Sequence, residues 1–235
     1  WEVDRAVLFG GGRGRRGLLA GIIDVERTRD VETTPSHFEV AFGAGPGAEG
    51  APMTRDPELG RDEPVTIGGV AIRGKVDRVD VGPDSFTVID YKTARKLPRL
   101  ADIEEGTSLQ LPLYLHVIRE MLRASGRDLA AAAGIYYQLR PQIRLVMGAG
   151  NAEFKERAFA PGEGGRKLLP NGEALDLLIR QTIGFVTGYV RSIAEGKFPL
   201  TTPDRIEDVC TYCSYRALCR IQVIRRVASS PQEGS

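Results

Sequence analysis

The chain has 235 residues and carries 32 Lys and Arg against 31 Asp and Glu, a formal net charge of +1. With 42% hydrophobic and 27% charged residues it has the composition of one or two globular domains, and no apolar run is long enough to cross a bilayer as a helix. The near balance of charge excludes a uniformly basic surface, so any track for a polyanion has to be local.

The first residues lack an initiator Met and lack a basic segment followed by an apolar one. No secretory leader is therefore expected, and the chain reads as a piece of a longer one. Gly10 to Gly14 reads as a Gly/Arg loop, fit either to touch phosphate or to serve as a solvated connector. From Arg15 a helix is predicted, with Leu18, Leu19, Ile22 and Ile23 on one side. Alternation at Phe38, Val40 and Phe42 predicts a strand over 37–43, and the Gly, Pro and acid content of 43–60 predicts an exposed loop. Val65 to Val81 and Ser85 to Lys92 read as two strands of a hairpin, turning at Gly82, Pro83 and Asp84.

A long amphipathic helix fits 109–123, with Thr107 or Ser108 as its cap. Residues 131–139 read as a buried strand and 152–159 as a further one. A second long helix fits 173–194, apolar at Leu175, Leu178, Ile179, Ile183, Val186 and Val190. Residues 199–208 read as a linker, and the Ser, Pro, Gln and Gly content after Ala228 predicts a disordered tail. The sum is an α/β domain over 1–198, with helices on a mixed central sheet. A small cysteine-bearing appendix over 199–228 and a tail over 229–235 follow it.

The most informative stretch is Gly74-Lys-Val-Asp-Arg-Val-Asp80 followed by Val88-Ile-Asp-Tyr-Lys-Thr93. On a strand, residues two apart share a face, so Asp90 and Lys92 project together while Ile89 and Tyr91 point the other way. If the hairpin forms, Asp77 comes near Asp90. Two carboxylates beside a lysine are oxygen ligands for Mg²⁺ or Mn²⁺ with a fixed positive charge next to them. The same residues also fit a solvated hairpin with ion pairs among Lys75, Asp77, Arg78 and Asp80. Gln110 and Tyr114 lie one turn apart on the next helix, so both present hydrogen-bonding groups on one face.

The only cysteines, Cys210, Cys213 and Cys219, are spaced C-x₂-C-x₅-C. A clustered set of three excludes a self-contained disulfide framework and points to an intracellular metal or cluster site. Three thiolates close neither a four-ligand zinc site nor a four-thiolate iron–sulfur cluster, and the spacing does not choose between them. Buried reduced thiols are the structural alternative.

The series G-x-V-D-R-V-D, I-D-Y-K-T and Q-L-P-L-Y resembles the PD-(D/E)XK nuclease superfamily, specifically its RecB-like branch. By that resemblance Asp77, Asp90, Lys92, Gln110 and Tyr114 form a nuclease site, with the main-chain carbonyl of Tyr91 as a further metal ligand beside Asp77 and Asp90. The resemblance implies a restriction-endonuclease-like core and a Mg²⁺- or Mn²⁺-dependent deoxyribonuclease, a single-strand exonuclease of DNA repair or recombination. It also implies DNA as substrate, a helicase subunit or domain as partner, no membrane and a cytoplasmic location. The branch usually places a metal-binding His on an upstream helix. Neither His37 nor His116 suits that role, so the His is expected before Trp1. Cys210, Cys213 and Cys219 resemble the distal three ligands of the 4Fe–4S staple of AddB-type nuclease domains, whose first Cys is likewise expected upstream, with zinc as the alternative. Arg216, Arg220, Arg225 and Arg226 flank them, as phosphate contacts or as a solvated face. A catalytically inactive DNA-binding or scaffold domain of the same fold is the alternative function, and a zinc-ribbon-like binding protein accounts for the cysteines alone.

Overall fold

The structure is a computed structural model that describes residues 2–11, 16–43, 56–140, 142–160, 168–198, 201–202, 205–211 and 213–219. Two helices, α1 (Glu2–Phe9) and α2 (Leu18–Thr28), lead into strand β1 (Thr34–Phe42). The strands β2 (Val65–Ile67), β3 (Val70–Ile72), β4 (Gly74–Val81) and β5 (Ser85–Lys92) follow. Helices α3 (Leu100–Glu104) and α4 (Gln110–Ala124) cross over to β6 (Ala130–Gln138) and β7 (Arg144–Gly150). After a 3-10 turn over Ala152–Phe154 come α5 (Lys155–Ala158), α6 (Gly172–Ala194), α7 (Ile206–Cys210) and α8 (Arg216–Cys219). The chain divides into two compact units, Trp1–Gly188 and Tyr189–Ser235.

In the first unit five strands form one mixed sheet in the order β1-β4-β5-β6-β7. The β1–β4, β4–β5 and β6–β7 pairs are antiparallel, while β5 and β6 are parallel. A parallel pair needs a crossover, and α3 and α4 supply it. One core gathers Val79, Phe86 and Val88 of the sheet with Ile103 of α3, Leu111, Leu115 and Ile118 of α4, and Leu175, Leu178 and Ile179 of α6. A second core joins Ile89, Ala133, Ile135 and Tyr137 to Ile22 and Val25 of α2 and to Ala158 and Phe159. Strands covered on both faces read as continuous apolar runs, which is why β6 is Ala-Ala-Ala-Ala-Gly-Ile-Tyr-Tyr-Gln. Its small residues leave room for α4: a Cβ on Gly134 would meet Leu111 at 3.2 Å, and one on Gly148 of β7 would meet it at 2.4 Å. The first turn of α4 is thus seated on a glycine floor.

Several expectations are corrected. In α2, Ile22 and Val25 pack inward, but Leu19 and Ile23 are exposed, so the inward stripe is narrower than expected. Helix α1 forms over residues for which no element was expected. Residues 65–81 are three strands, because Gly68 and Gly69, at φ 55° and 82°, make a two-residue hairpin turn between β2 and β3. Residues 44–55 of the expected loop lie outside the described residues, but Asp56 and Leu59 are buried rather than exposed. The segment 152–159 is a 3-10 turn and a short helix, and the edge strand lies earlier, at β7. Thr107 and Ser108 do not cap α4; Thr107 Oγ1 donates to the Asp102 carbonyl and Ser108 Oγ shares a hydrogen bond with Tyr136. Part of the expected linker is the helix α7. Residues 220–235, and with them Arg220, Arg225, Arg226 and the expected tail, lie outside the described residues.

In β1 the alternation breaks in the middle. His37 is buried, Phe38 is exposed, and Val40, Ala41 and Phe42 are all buried. The cause is Glu39, which at φ 53° is the only non-glycine with a positive φ among the described residues. A left-handed residue inside a strand costs about 1–3 kcal/mol and persists only where its surroundings impose it.

Charge is also buried between α2 and β4. Arg78 bonds Glu26 of α2 through both terminal nitrogens, each at 2.9 Å, and Asp80 through Nε at 2.6 Å and Nη2 at 2.8 Å. Arg29 reaches the fully buried Asp80 at 3.3 Å. The expected Arg78–Asp80 ion pair therefore exists, but it runs along one strand and is buried. Removing Arg78 would leave the carboxylates of Glu26 and Asp80 without their shared guanidinium, with Arg29 still at 3.3 Å from Asp80. Arg78→Ala is expected to lower stability by about 3–5 kcal/mol in urea unfolding.

Candidate active site

The antiparallel β4–β5 ladder runs Val81↔Phe86, Asp80↔Thr87, Val79↔Val88 and Arg78↔Ile89. The ladder ends there, and just beyond it Asp77 lies close enough to Asp90 for their charges to interact. Alternation then places Asp90 and Lys92 on one face of β5, while Ile89 and Tyr91 enter the second core, where Tyr91 packs on Tyr137 with ring centroids 5.3 Å apart.

The polar groups on that face form a continuous bonded chain. Lys92 Nζ lies 2.8 Å from Asp90 Oδ2 and donates to Gln110 Oε1 at 2.8 Å. Gln110 Nε2 donates to Tyr114 Oη at 3.2 Å. Asp77 Oδ2 accepts the main-chain N–H of Tyr91 at 2.9 Å, which fixes its carboxylate and leaves its other oxygen for a ligand. Asp77, Asp90, Lys92, Gln110 and Tyr114 are thus brought together, and the Tyr91 main chain enters the same site through its N–H.

Burial sets the electrostatics. Asp90 is nearly inaccessible, and its carboxyl is raised above the usual range. Desolvation is the main cause; Lys92 works against it and the Asp77 charge adds to it. Tyr114 is raised chiefly by burial, against its bond from Gln110, with the charges of Asp90 and Asp77 adding to the shift. A cation bound between the carboxylates would offset the same repulsion. Two hard oxygen donors with one carboxylate oxygen uncommitted fit magnesium, which takes one or two carboxylates and keeps waters. Among the described residues no three His, Cys, Asp or Glu side chains converge into a fuller metal-ligand set.

Glu39 and Lys75 border the site; Lys75 was expected only as an ion-pair partner within the hairpin, and Glu39 was assigned no role. Glu39 sits in the β1–β4 ladder between Phe38↔Arg78 and Val40↔Val76, opposite Asp77. Its carboxylate pairs with Lys75 Nζ across the strands. Lys75 is held above the usual lysine range, first by this bond, with Asp77 and Tyr114 contributing. Nothing in a sequence marks a glutamate for left-handed backbone. The trace it leaves is the unalternated run of three apolar residues after it, Val40-Ala-Phe42.

Both histidines lie apart from this chain of bonds. His37 is buried, with Nδ1 3.2 Å from Asp56 and Nε2 3.1 Å from Arg127 Nη2. His116 is half-buried, its charged neighbours being Glu120, Arg119, Arg123 and Asp176, and desolvation lowers its pKa.

In the second unit all three cysteines are free thiols. Cys210 ends α7 and is buried, Cys213 lies in the intervening turn, and Cys219 ends α8. Backbone bonds link them locally: Cys213 N to Cys210 O at 3.4 Å, and Cys219 N to Tyr215 O at 2.8 Å. Among the described residues the three thiols do not converge into a metal-ligand group, so the structure does not bring the expected cluster ligands together.

A mixed sheet with paired carboxylates, a neighbouring lysine and a Gln–Tyr helix face has the make-up of a phosphodiester hydrolase. The chain belongs to the PD-(D/E)XK nuclease superfamily, whose family model matches residues 10–220. Its relatives are subunits of ATP-dependent helicase/deoxyribonucleases. That of Carboxydothermus hydrogenoformans is 26% identical over 196 residues, 64% of this chain and 18% of that protein. That of Desulforudis audaxviator is 33% identical over 142 residues, 54% of this chain and 11% of that protein. That of Clostridium acetobutylicum is 23% identical over 237 residues, 81% of this chain and 19% of that protein. The chain therefore spans less than a fifth of the length of these relatives.

The raised Asp90 carboxyl has a consequence for stability. A group protonated more readily in the folded state favours folding below its unfolded pKa and loses that contribution as pH rises through the folded value. In metal-free buffer, the stability of Asp90→Asn relative to the parent is therefore expected to increase as pH rises from below the usual carboxylate range to neutrality. Urea unfolding across that range in EDTA checks it; a pH-independent difference contradicts the burial of a charged Asp90.

Proposed function

We propose that this chain is a DNA-cleaving domain, hydrolysing phosphodiester bonds with a divalent cation, Mg²⁺ or Mn²⁺, in DNA repair or recombination. Single-stranded DNA is its substrate, attacked exonucleolytically, and a helicase subunit or domain is its working partner. The observation that carries the reading is the chain Asp90–Lys92–Gln110–Tyr114 with Asp77 beside it, bonded to the Tyr91 N–H. The names of the relatives, which couple helicase to deoxyribonuclease, support the substrate and the partner.

Asp77, Asp90 and the Tyr91 carbonyl would hold the cation. When bound, it supplies Lewis acidity toward the phosphate and a hydroxide at neutral pH. The remaining work falls to the protein. Asp77, fixed by the Tyr91 N–H, presents one oriented oxygen to the ligand. Lys92 is held from two sides, by Asp90 and by Gln110, so its ammonium is fixed before substrate arrives and can meet the charge that develops on the phosphate oxygens. Tyr114 holds Gln110, and the glycine floor under Leu111 holds the turn that carries Gln110.

Incubation with labelled single-stranded DNA and Mg²⁺ or Mn²⁺ tests this reading. Asp77→Asn, Asp90→Asn and Lys92→Ala are each expected to lower the cleavage rate by at least about 10²-fold, and Gln110→Ala by about 10-fold, since it acts through Lys92. Cleavage persisting in all of the first three variants contradicts the site.

Cys210, Cys213 and Cys219 are proposed as three thiolate ligands of a 4Fe–4S cluster. They do not complete the set alone, and no step of the reaction is routed through them. The resemblance of their C-x₂-C-x₅-C arrangement to the AddB-type staple supports the reading, and iron, acid-labile sulfide and zinc analysis of anaerobically purified protein tests it. Iron with sulfide is expected; stoichiometric zinc without iron overturns it.

A further inference from the structure

The rim of the site carries an ion pair that stability does not explain. Glu39 is held in left-handed backbone inside a strand, and what its side chain gains there is a pairing with Lys75 at a position where both side chains remain partly exposed, 39% and 42%. An exposed pair of this kind contributes little to folding, less than the backbone conformation costs. The left-handed residue also brings Val40, Ala41 and Phe42 into the core together, so what singles out the ion pair is its place beside the site. Glu39 opposes Asp77 in the β1–β4 ladder, and Lys75, two residues before Asp77 on β4, shares its side of the strand by alternation. Lys92, by contrast, is already committed to Asp90 and Gln110 inside the site.

We propose that Glu39 and Lys75 form a phosphate-exchange pair, in which Lys75 takes a backbone phosphate of the substrate strand beside the one that is cleaved and Glu39 holds the ammonium in place until that phosphate displaces it. This rests on the reading of the chain as a DNA nuclease. Lysine serves as a point charge for phosphate, and a weak exposed partner is one it can give up. Both residues are positioning residues for the strand.

The test is binding without turnover. A fluorescein-labelled oligo(dT) is titrated with the chain in EDTA, at several salt concentrations, and anisotropy is read. Lys75→Ala is expected to weaken binding about 10-fold and to flatten the slope of log K against log salt by about 0.7, the value for one single-strand phosphate contact. Lys75→Arg is expected to keep both. Glu39→Gln is expected to tighten binding, because the ammonium is released from its competitor. In Mg²⁺, the loss in Lys75→Ala is expected to fall on KM more than on kcat. An unchanged affinity and salt slope in Lys75→Ala overturns the proposal, as does a parent chain that does not bind the oligonucleotide, or weaker binding by Glu39→Gln. The nuclease reading fails separately: a parent that binds but does not cleave, with the Lys75→Ala loss of slope intact, sinks that reading and leaves phosphate contact by Lys75 supported.

Discussion

The site depends on one constraint, the antiparallel β4–β5 pairing that brings Asp77 and Asp90 side by side just beyond its last rung. Like charges side by side on neighbouring strands are unfavourable, and burial of Asp90 makes the pairing worse. The fold holds it by fixing each carboxylate separately. The Tyr91 N–H binds Asp77 and the Lys92 ammonium binds Asp90. Behind the sheet, Arg78 clamps β4 to Glu26 of α2 and to Asp80, so the strand that carries Asp77 is anchored immediately beside it. A fold that holds two carboxylates together at a loss is poised to gain when a cation enters between them.

The second dependence is on the helix that follows. Lys92 is oriented by Gln110, and Gln110 sits in the first turn of α4. That turn is placed by Leu111 lying over Gly134 and Gly148 in the neighbouring strands. The parallel β5–β6 pair and its crossover therefore act on the site directly: they bring a helix N-terminal turn to the end of β5, where Asp90 and Lys92 emerge. Side chains deep in the core and side chains at the chemistry belong to one packing problem.

What could be read in the sequence followed from periodicity. A short apolar run gave β5, strand alternation gave the shared face of Asp90 and Lys92, and a 3.6-residue period gave α4 and α6 and the shared face of Gln110 and Tyr114. The short Gly82 turn pointed to a hairpin that could bring Asp77 near Asp90, but the register itself was not fixed by the sequence. What could not be read were features with no local signature. Gly68 and Gly69 looked like an interruption of one strand and are a turn between two. Segment 152–159, rich in the helix formers Ala, Glu, Lys and Arg, forms a turn and a short helix rather than the strand expected, whereas β7, rich in Gly, has weak strand propensity and gains its place from pairing with β6. Glu39 is the extreme case. A glutamate in left-handed backbone runs against local preference, so only the tertiary setting reveals it, and with it the Lys75 pair at the rim.

The most direct test of the paired carboxylates is metal binding, measured without any reaction. Mn²⁺ binding to the intact chain, followed by loss of the free-ion signal in electron paramagnetic resonance, is expected to be about 10-fold or more weaker in both Asp77→Asn and Asp90→Asn than in the parent. Binding that is undiminished in both variants would contradict the paired carboxylates as the centre of the site.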